Sequence, residues 1–321
     1  MAGFCRGLLA AVLVVVAPAV AVAQSKSLTL GTASVGGTYY VIGGAMAQLL
    51  TDRAGLHVTT QQTQGPNQNL IMIDDGKLQL GMVTMGVALQ AMQGSAPWTK
   101  GKKYESIRAL FPMYDTPMQC VSLKKSGIAS FAQLEGKTVG TGPKAGTAGT
   151  YFPLIFDALG TKASFRNGQG GDMGNQLKDG LLDAFCFAAG LPIPIFSELD
   201  TDQPVAFYTW TPDELAKIRK ALPEFSESTI PKGTYRQQAA DQKTVGLYNF
   251  SIANKDMPDA TAYLITKTVL ENNAVMVKAH AAAKETVAAN AKRNTFLPFH
   301  PGAVRYYKEK GIKLDPATLP R

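Results

Sequence analysis

Gly31-Thr32-Ala33-Ser34-Val35-Gly36-Gly37-Thr38-Tyr39-Tyr40 is the stretch on which the reading of this chain turns. It follows a short apolar run at residues 28–30, which reads as a strand. It precedes Ile42, Met46, Leu49 and Leu50, spaced i, i+4, i+7 and i+8 as on one face of a helix. A glycine-rich strand-to-helix turn lets backbone approach a ligand closely. The helix start presents unpaired N–H groups and a partial positive charge, which suits a carboxylate or phosphate. Ser34 and Thr38 add hydroxyls. A plain βα turn with a Ser/Thr cap would carry the same residues.

Outward from this loop, residues 57–61 with β-branched Val58, Thr59 and Thr60 read as a second strand. The turn at Gln64-Gly65-Pro66-Asn67 leads into a short helix with Leu70 and Ile71, and residues 78–84 form a third strand. A βαβαβ run predicts a parallel sheet. Residues 107–113 and 119–123 are expected as two strands around Asp115-Thr116-Pro117, and residues 130–137 as a short helix. The opening theme then returns. A strand at 138–140 meets a second glycine loop, Gly142-Pro143-Lys144-Ala145-Gly146-Thr147, and a helix carrying Ala148, Phe152, Ile155 and Leu159. A strand at 163–166, a helix at 172–179 and a strand at 182–187 complete the repeat. The remainder reads as helix-rich, with Thr211-Pro212-Asp213-Glu214 as a start signal. A strand is expected at 244–253, and helices from Asp256, over the alanine-rich 281–291 and over 301–310. No low-complexity linker divides the chain, so two domains would have to be interleaved.

The chain has 321 residues, 45% hydrophobic and 17% charged, with net charge +8. This composition excludes a wholly disordered chain. The basic excess is scattered rather than clustered with aromatics, so nucleic acid is not an expected partner. The first 23 residues read as a secretory signal. Arg6 supplies the positive start, an apolar core runs from Gly7 to Val16, and Ala21-Val22-Ala23 fits signal-peptidase cleavage after Ala23. The exported chain would keep 298 residues, net charge +7, and two of the three cysteines. Cys120 and Cys186 both lie in apolar strand-like runs. They are a candidate disulfide in an oxidising compartment, or two cysteines packed as small hydrophobes.

Several residues could touch a ligand. Asn67, Gln68 and Asn69 carry amides that both donate and accept, and Asn67 could equally cap its helix. Lys144 places a cation in the second loop. Two equivalent glycine loops would face each other across a cleft, beyond the carboxyl ends of the strands. Gly140-x-Gly142-x-x-Ala145 matches a dinucleotide fingerprint, but Pro143 removes a loop N–H and no acid follows at residues 161–166. No cofactor is expected. His57, His280 and His300 are far apart, and no H-E-x-x-H, C-x-x-C or G-x-S-x-G occurs, so neither a metal nor a catalytic residue is expected.

In these residues the chain resembles the TAXI-type periplasmic solute receptors of tripartite ATP-independent periplasmic (TRAP) transporters. The resemblance rests on residues 31–40, Asn69-Leu70, Leu134-Glu135-Gly136-Lys137-Thr138-Val139 and Pro143 to Thr147. Downstream it rests on residues 179–185, 230–235 and His300-Pro301-Gly302-Ala303. It implies an α/β, two-lobed periplasmic-binding-protein fold, type II-like, with the ligand cleft between interleaved lobes. Residues 24–117 and 232–321 would form lobe I, and 118–231 lobe II. It implies a non-enzymatic receptor that closes on a small solute and delivers it to TRAP membrane subunits, touching the membrane protein only transiently. Carried onto matching positions, Ser34, Gly36, Gly37, Thr38 and Tyr39 become expected ligand contacts, with Thr84, Gly146 and Thr147. Gln169 and Gly190 join them in the second half. The family's Gly-Ser-x-x-Asn stretch reads Gly65-Pro66-Asn67-Gln68-Asn69 here. Where such receptors often carry an acid, this chain has Val83-Thr84-Met85-Gly86. Without an acid to pair an ammonium, the expected ligand is a small organic carboxylate or dicarboxylate. Lys144 is then expected to meet the anion. An amino acid such as glutamate or glutamine is the alternative ligand, and an enzyme on the same fold the alternative class.

Overall fold

The computed structural model describes residues 27–320, so the expected signal segment lies outside the described residues. The first half builds three parallel strands, β1 (Leu28–Gly31), β2 (Val58–Gln61) and β3 (Leu80–Thr84). They are linked by α1 (Thr38–Ala54) and α2 (Pro66–Asp74), and α3 (Met85–Gln93) follows β3 directly. The strand order is second, first, third. After β4 (Ile107–Leu123), the second half repeats the plan with β5 (Thr138–Gly140), α4 (Thr147–Leu159), β6 (Ser164–Arg166), α5 (Gly170–Lys178) and β7 (Ala184–Ala188). Its order is again second, first, third. The repeated sequence theme is thus a repeated topology.

The chain continues through α6 (Pro194–Asp202), β8 (Val205–Tyr208), α7 (Pro212–Ala221), β9 (Ser226–Ile230) and β10 (Gln242–Asn254). It closes with α8 (Asp259–Glu271), α9 (Asn273–Ala279) and α10 (Pro301–Glu309). The antiparallel pair β4 and β10 joins the halves. β10 pairs with β3 on one side and with residues 107–117 of β4 on the other. Residues 118–123 of β4 pair with β7 and β8. The amphipathic patterns face the core: Ile42, Met46, Leu49, Leu50, Ala148, Phe152 and Ile155 are buried, and Leu159 is half-buried against it.

Three local expectations need correction. Asp115-Thr116-Pro117 does not separate two strands, because β4 is a single 17-residue strand. These residues stay extended because Tyr248, Leu247 and Gly246 pair with them in turn. Gly246 makes this possible, since a Cβ there would lie 2.6 Å from Asp115 Oδ1. The alanine-rich 281–291 segment is not one helix but two 3-10 turns, Ala281–Glu285 and Ala288–Arg293. Tertiary partners take the carbonyls a helix would use: Asn273 Nδ2 donates to Ala283 O and Thr286 O, and Tyr248 Oη to Glu285 O. Residues 130–137 likewise shrink to a 3-10 turn at Phe131–Leu134. By contrast, Thr211 and Glu214 form a full capping box on α7.

Cys120 and Cys186 stand directly opposite each other on β4 and β7, Cα atoms 4.0 Å apart, and are joined as a disulfide. Among the described residues no helix is long and apolar enough to cross a membrane, and no cluster of three or more His, Cys, Asp or Glu could hold a metal.

Candidate functional site

Each glycine loop is bonded to the opposite half of the chain, the second loop to the turn at residues 64–67 and the first to the starts of α5 and α6. Asn67 N donates to Ala145 O (3.3 Å), Gly171 N to Val35 O (3.1 Å) and Ile195 N to Gly36 O (3.1 Å). Gly65 has φ +121°, and a Cβ there would lie 3.0 Å from Gly146 Cα, so both glycines are needed for this approach. The contact leaves a small cavity, about 40 Å³ for the centre of a water-sized sphere.

Four helices begin at this cavity. Gly37, Gly65, Thr84 and Gly146, which precede α1, α2, α3 and α4, all line it. None of the four helices has a side-chain cap or an acid in its first turn. On α7, away from the cavity, both features are present. Uncapped helix starts concentrate unpaired N–H groups and partial positive charge where they converge. The amides of Thr38, Tyr39, Thr147 and Ala148 have no hydrogen-bond partner among the described residues.

Hydroxyls fill the rest of the wall. Ser34, Thr38, Thr84, Thr116 and Thr147 line the cavity. Thr38 Oγ1 donates to Gly190 O at 2.7 Å, and Thr84 Oγ1 lies 3.2 Å from Thr147 Oγ1. Tyr39 Oη donates to Asn249 Oδ1 at 2.5 Å. Burial pushes the Tyr39 phenol well above its ordinary pKa, so it stays protonated. Asn249 Nδ2 donates to Tyr114 O (2.6 Å) and Thr116 Oγ1 (2.5 Å). Among the described residues, the lining contains no Asp, Glu, Lys, Arg or His; Phe187, Pro66, Pro143 and four alanines supply its apolar part.

The expected site residues divide. Ser34, Gly37, Thr38, Tyr39, Thr84, Gly146 and Thr147 line the cavity together. Gly36 and Gly190 do not, but their carbonyls accept the cross-loop bonds from Ile195 and Thr38. Asn67, Gln68 and Asn69 are not in the wall, because each is used in holding the loop. Asn67 packs against Ala145 O, Thr150 Oγ1 and Trp98 Nε1. Gln68 Oε1 accepts from Gln64 N. Asn69 Nδ2 donates to Thr32 O and Met82 O, and its Oδ1 accepts from Thr63. Gln169 is half-buried outside the cavity and accepts from Gln62. Lys144 is exposed and does not reach the cavity, since the tight turn at Pro143–Gly146 points it away. Two of the three histidines act as caps: His280 Nδ1 accepts from Ala282 N, and His300 Nδ1 from Gly302 N.

Thr116 and Asn249 escaped the sequence reading. Thr116 reads as part of a break between two strands, and Asn249 sits in a strand whose pattern signals only packing. Asn249 faces the cavity because β10 and β4 shift register between Tyr248 and Phe250, and such an irregularity re-aims a side chain.

The architecture has structural relatives of low sequence identity. The periplasmic binding protein BugD is 12% identical, with TM-score 0.57 over 90% of this chain and 99% of its own. A protein from Bordetella bronchiseptica RB50 is 16% identical, with TM-score 0.51 over 92% and 85%. The binding-protein component of an ABC phosphonate transporter from Pseudomonas aeruginosa is 11% identical, with TM-score 0.50 over 81% and 80%. These likenesses show the fold: α/β, two-lobed, of the periplasmic-binding-protein type. The NMT1-like family matches residues 30–311, and the chain belongs to that family.

Proposed function

We propose that this chain is a periplasmic solute-binding protein that closes on a small organic carboxylate and hands it to the membrane subunits of a transporter, of the TRAP type. One observation carries the ligand class. Four uncapped, acid-free helix starts and five hydroxyls surround a cavity without a charged side chain. A carboxylate there is held by N–H and O–H donors. An ammonium would be buried without an opposing charge, at a cost of several kcal/mol. Lys144, once expected to meet the anion, is not needed. The small volume favours a short carboxylate, and a longer dicarboxylate requires the loops to part.

Family and fold favour binding over turnover. The cavity also offers no general base, since its one titratable group is a phenol held protonated. In this reading residues 24–117 and 232–321 form one lobe, 118–231 the other, and the β4–β10 pair is the connection about which they close. Export with cleavage after Ala23 and periplasmic residence belong to the same reading. The bound carboxylate and the membrane subunits are its partners, and no cofactor or nucleic acid takes part. Ser34, Gly37, Thr38, Tyr39, Thr84, Gly146 and Thr147 are its ligand contacts.

Isothermal titration of the purified protein with two- to five-carbon carboxylates, their primary amides and the matching 2-amino acids tests this. The expected result is one-to-one binding of a carboxylate, with amide and amino acid much weaker. Preference for the amino acid over its amine-free counterpart would overturn it.

A further inference from the structure

We infer that Asn249 and Thr116, on the two strands joining the halves, set which way hydrogen-bond donors point in the cavity and so make it select anions. This rests on the reading of the cavity as a ligand site. It adds two residues outside the glycine loops and a mechanism for their choice.

Tyr114 O is a backbone carbonyl and can only accept. Its 2.6 Å contact with Asn249 therefore fixes the Asn249 amide with Nδ2 toward β4. Two consequences follow. Asn249 Oδ1 is left facing Tyr39 Oη, whose proton is used on it at 2.5 Å. The second Nδ2 proton goes to Thr116 Oγ1, also at 2.5 Å. Thr116 accepts at that contact, so its own proton must go elsewhere. Among the described residues it has no other side-chain hydrogen bond, it is 2% exposed, and it lines the cavity. Its O–H is thereby a donor held for whatever occupies the cavity.

The site's other edge follows the same logic. Asn249 pairs with Thr84 across β10 and β3, and Thr84 meets Thr147 from the opposite loop. Of those two hydroxyls one donates to the other, which leaves one proton for the ligand. The direction of donation thus starts at a main-chain carbonyl that cannot be protonated and ends on the cavity floor. A neutral amide at position 249 is required. A carboxylate would accept from both Tyr39 and Thr116, draw the Thr116 proton away from the cavity, face Tyr114 O without a proton and place a negative charge beside the anion.

The test uses the purified protein and the tightest-binding carboxylate of the two- to five-carbon panel, with its primary amide as the neutral probe. Thr116→Val keeps the shape and removes the donor, and Thr116→Ser restores it. The expected result is a tenfold or greater loss of carboxylate affinity in Thr116→Val, with amide affinity changed less than threefold and recovery in Thr116→Ser. Asn249→Asp should lose carboxylate binding above pH 6 and regain part of it in acid. Melting temperature in the absence of ligand separates misfolding from altered selection. An equal loss for carboxylate and amide, or no recovery in Thr116→Ser, would overturn the inference and leave the carboxylate reading standing. Failure of the wild-type protein to bind any carboxylate would overturn both.

Discussion

Thr84 Oγ1 and Thr147 Oγ1 stand 3.2 Å apart, buried, joining the start of α3 to the start of α4 across 63 residues of sequence. Each hydroxyl sits where its helix leaves N–H groups unpaired, and each comes from a different half of the repeated topology. The contact brings the β3–α3 junction against the second glycine loop. Both residues also line the cavity. Thr84→Val and Thr147→Val should each weaken carboxylate binding about five- to tenfold, the effect of about 1 kcal/mol for a lost buried hydrogen bond. The double variant should cost less than the two singles together, as a double-mutant cycle by titration calorimetry would show.

Closure depends on Gly65. Its φ of +121° is strained for any side chain, and a Cβ would meet Gly146 Cα at 3.0 Å. Gly65→Ala should hold the loops apart, weakening ligand affinity at least tenfold. Small-angle scattering should show wild-type protein contracting on adding ligand and the variant contracting less.

The two glycine loops were legible in the sequence, but the geometry of the cavity they border was not. Residues 31–40 and 142–147 announced themselves through glycine density next to strand and helix patterns. Both loops border the cavity, and the repeated half-topology follows from the repeated pattern. Asn249 was hidden because a strand residue's face depends on register, and here an irregularity after Tyr248 shifts it. Thr116 was hidden because Asp115-Thr116-Pro117 reads as a break, where the structure runs one strand through it. Lys144 misled for a related reason. A cation in a loop says nothing of which way the loop turns, and this one points to solvent. The alanine-rich 281–291 segment shows intrinsic propensity losing to tertiary hydrogen bonds from Asn273 and Tyr248.

Asp115 gives the joining strands a pH signature. Burial raises its carboxyl above the ordinary range, against the hydrogen bond from Ser228 and the pull of Arg293, and Glu285 nearby is raised as well. The folded protein therefore binds these protons more tightly than the unfolded chain does. Their stabilising contribution is present in acid and is lost as pH rises from the ordinary carboxylate range through the raised values. Asp115→Asn should be more stable than wild type at pH 7.5, and the gap should close at pH 4. A series of thermal melts across pH would measure it; a gap that widens in acid would contradict it.

The Cys120–Cys186 disulfide closes a loop of 66 residues between β4 and β7. Loop-closure entropy gives it about 4 kcal/mol of stabilisation. Urea unfolding of Cys120→Ala/Cys186→Ala should show a loss of that order. The double variant should still bind ligand under native conditions, because neither cysteine lines the cavity.

On the proposed function, a cavity of helix starts and hydroxyls, without a charged side chain, encloses a small carboxylate and leaves it unchanged. Native mass spectrometry of the freshly purified protein, followed by denaturation and identification of what is released, tests it most directly. One carboxylate per chain is expected, lacking an amine and recovered intact after prolonged incubation. A bound amine-bearing or uncharged solute, or a ligand converted to product, would contradict it.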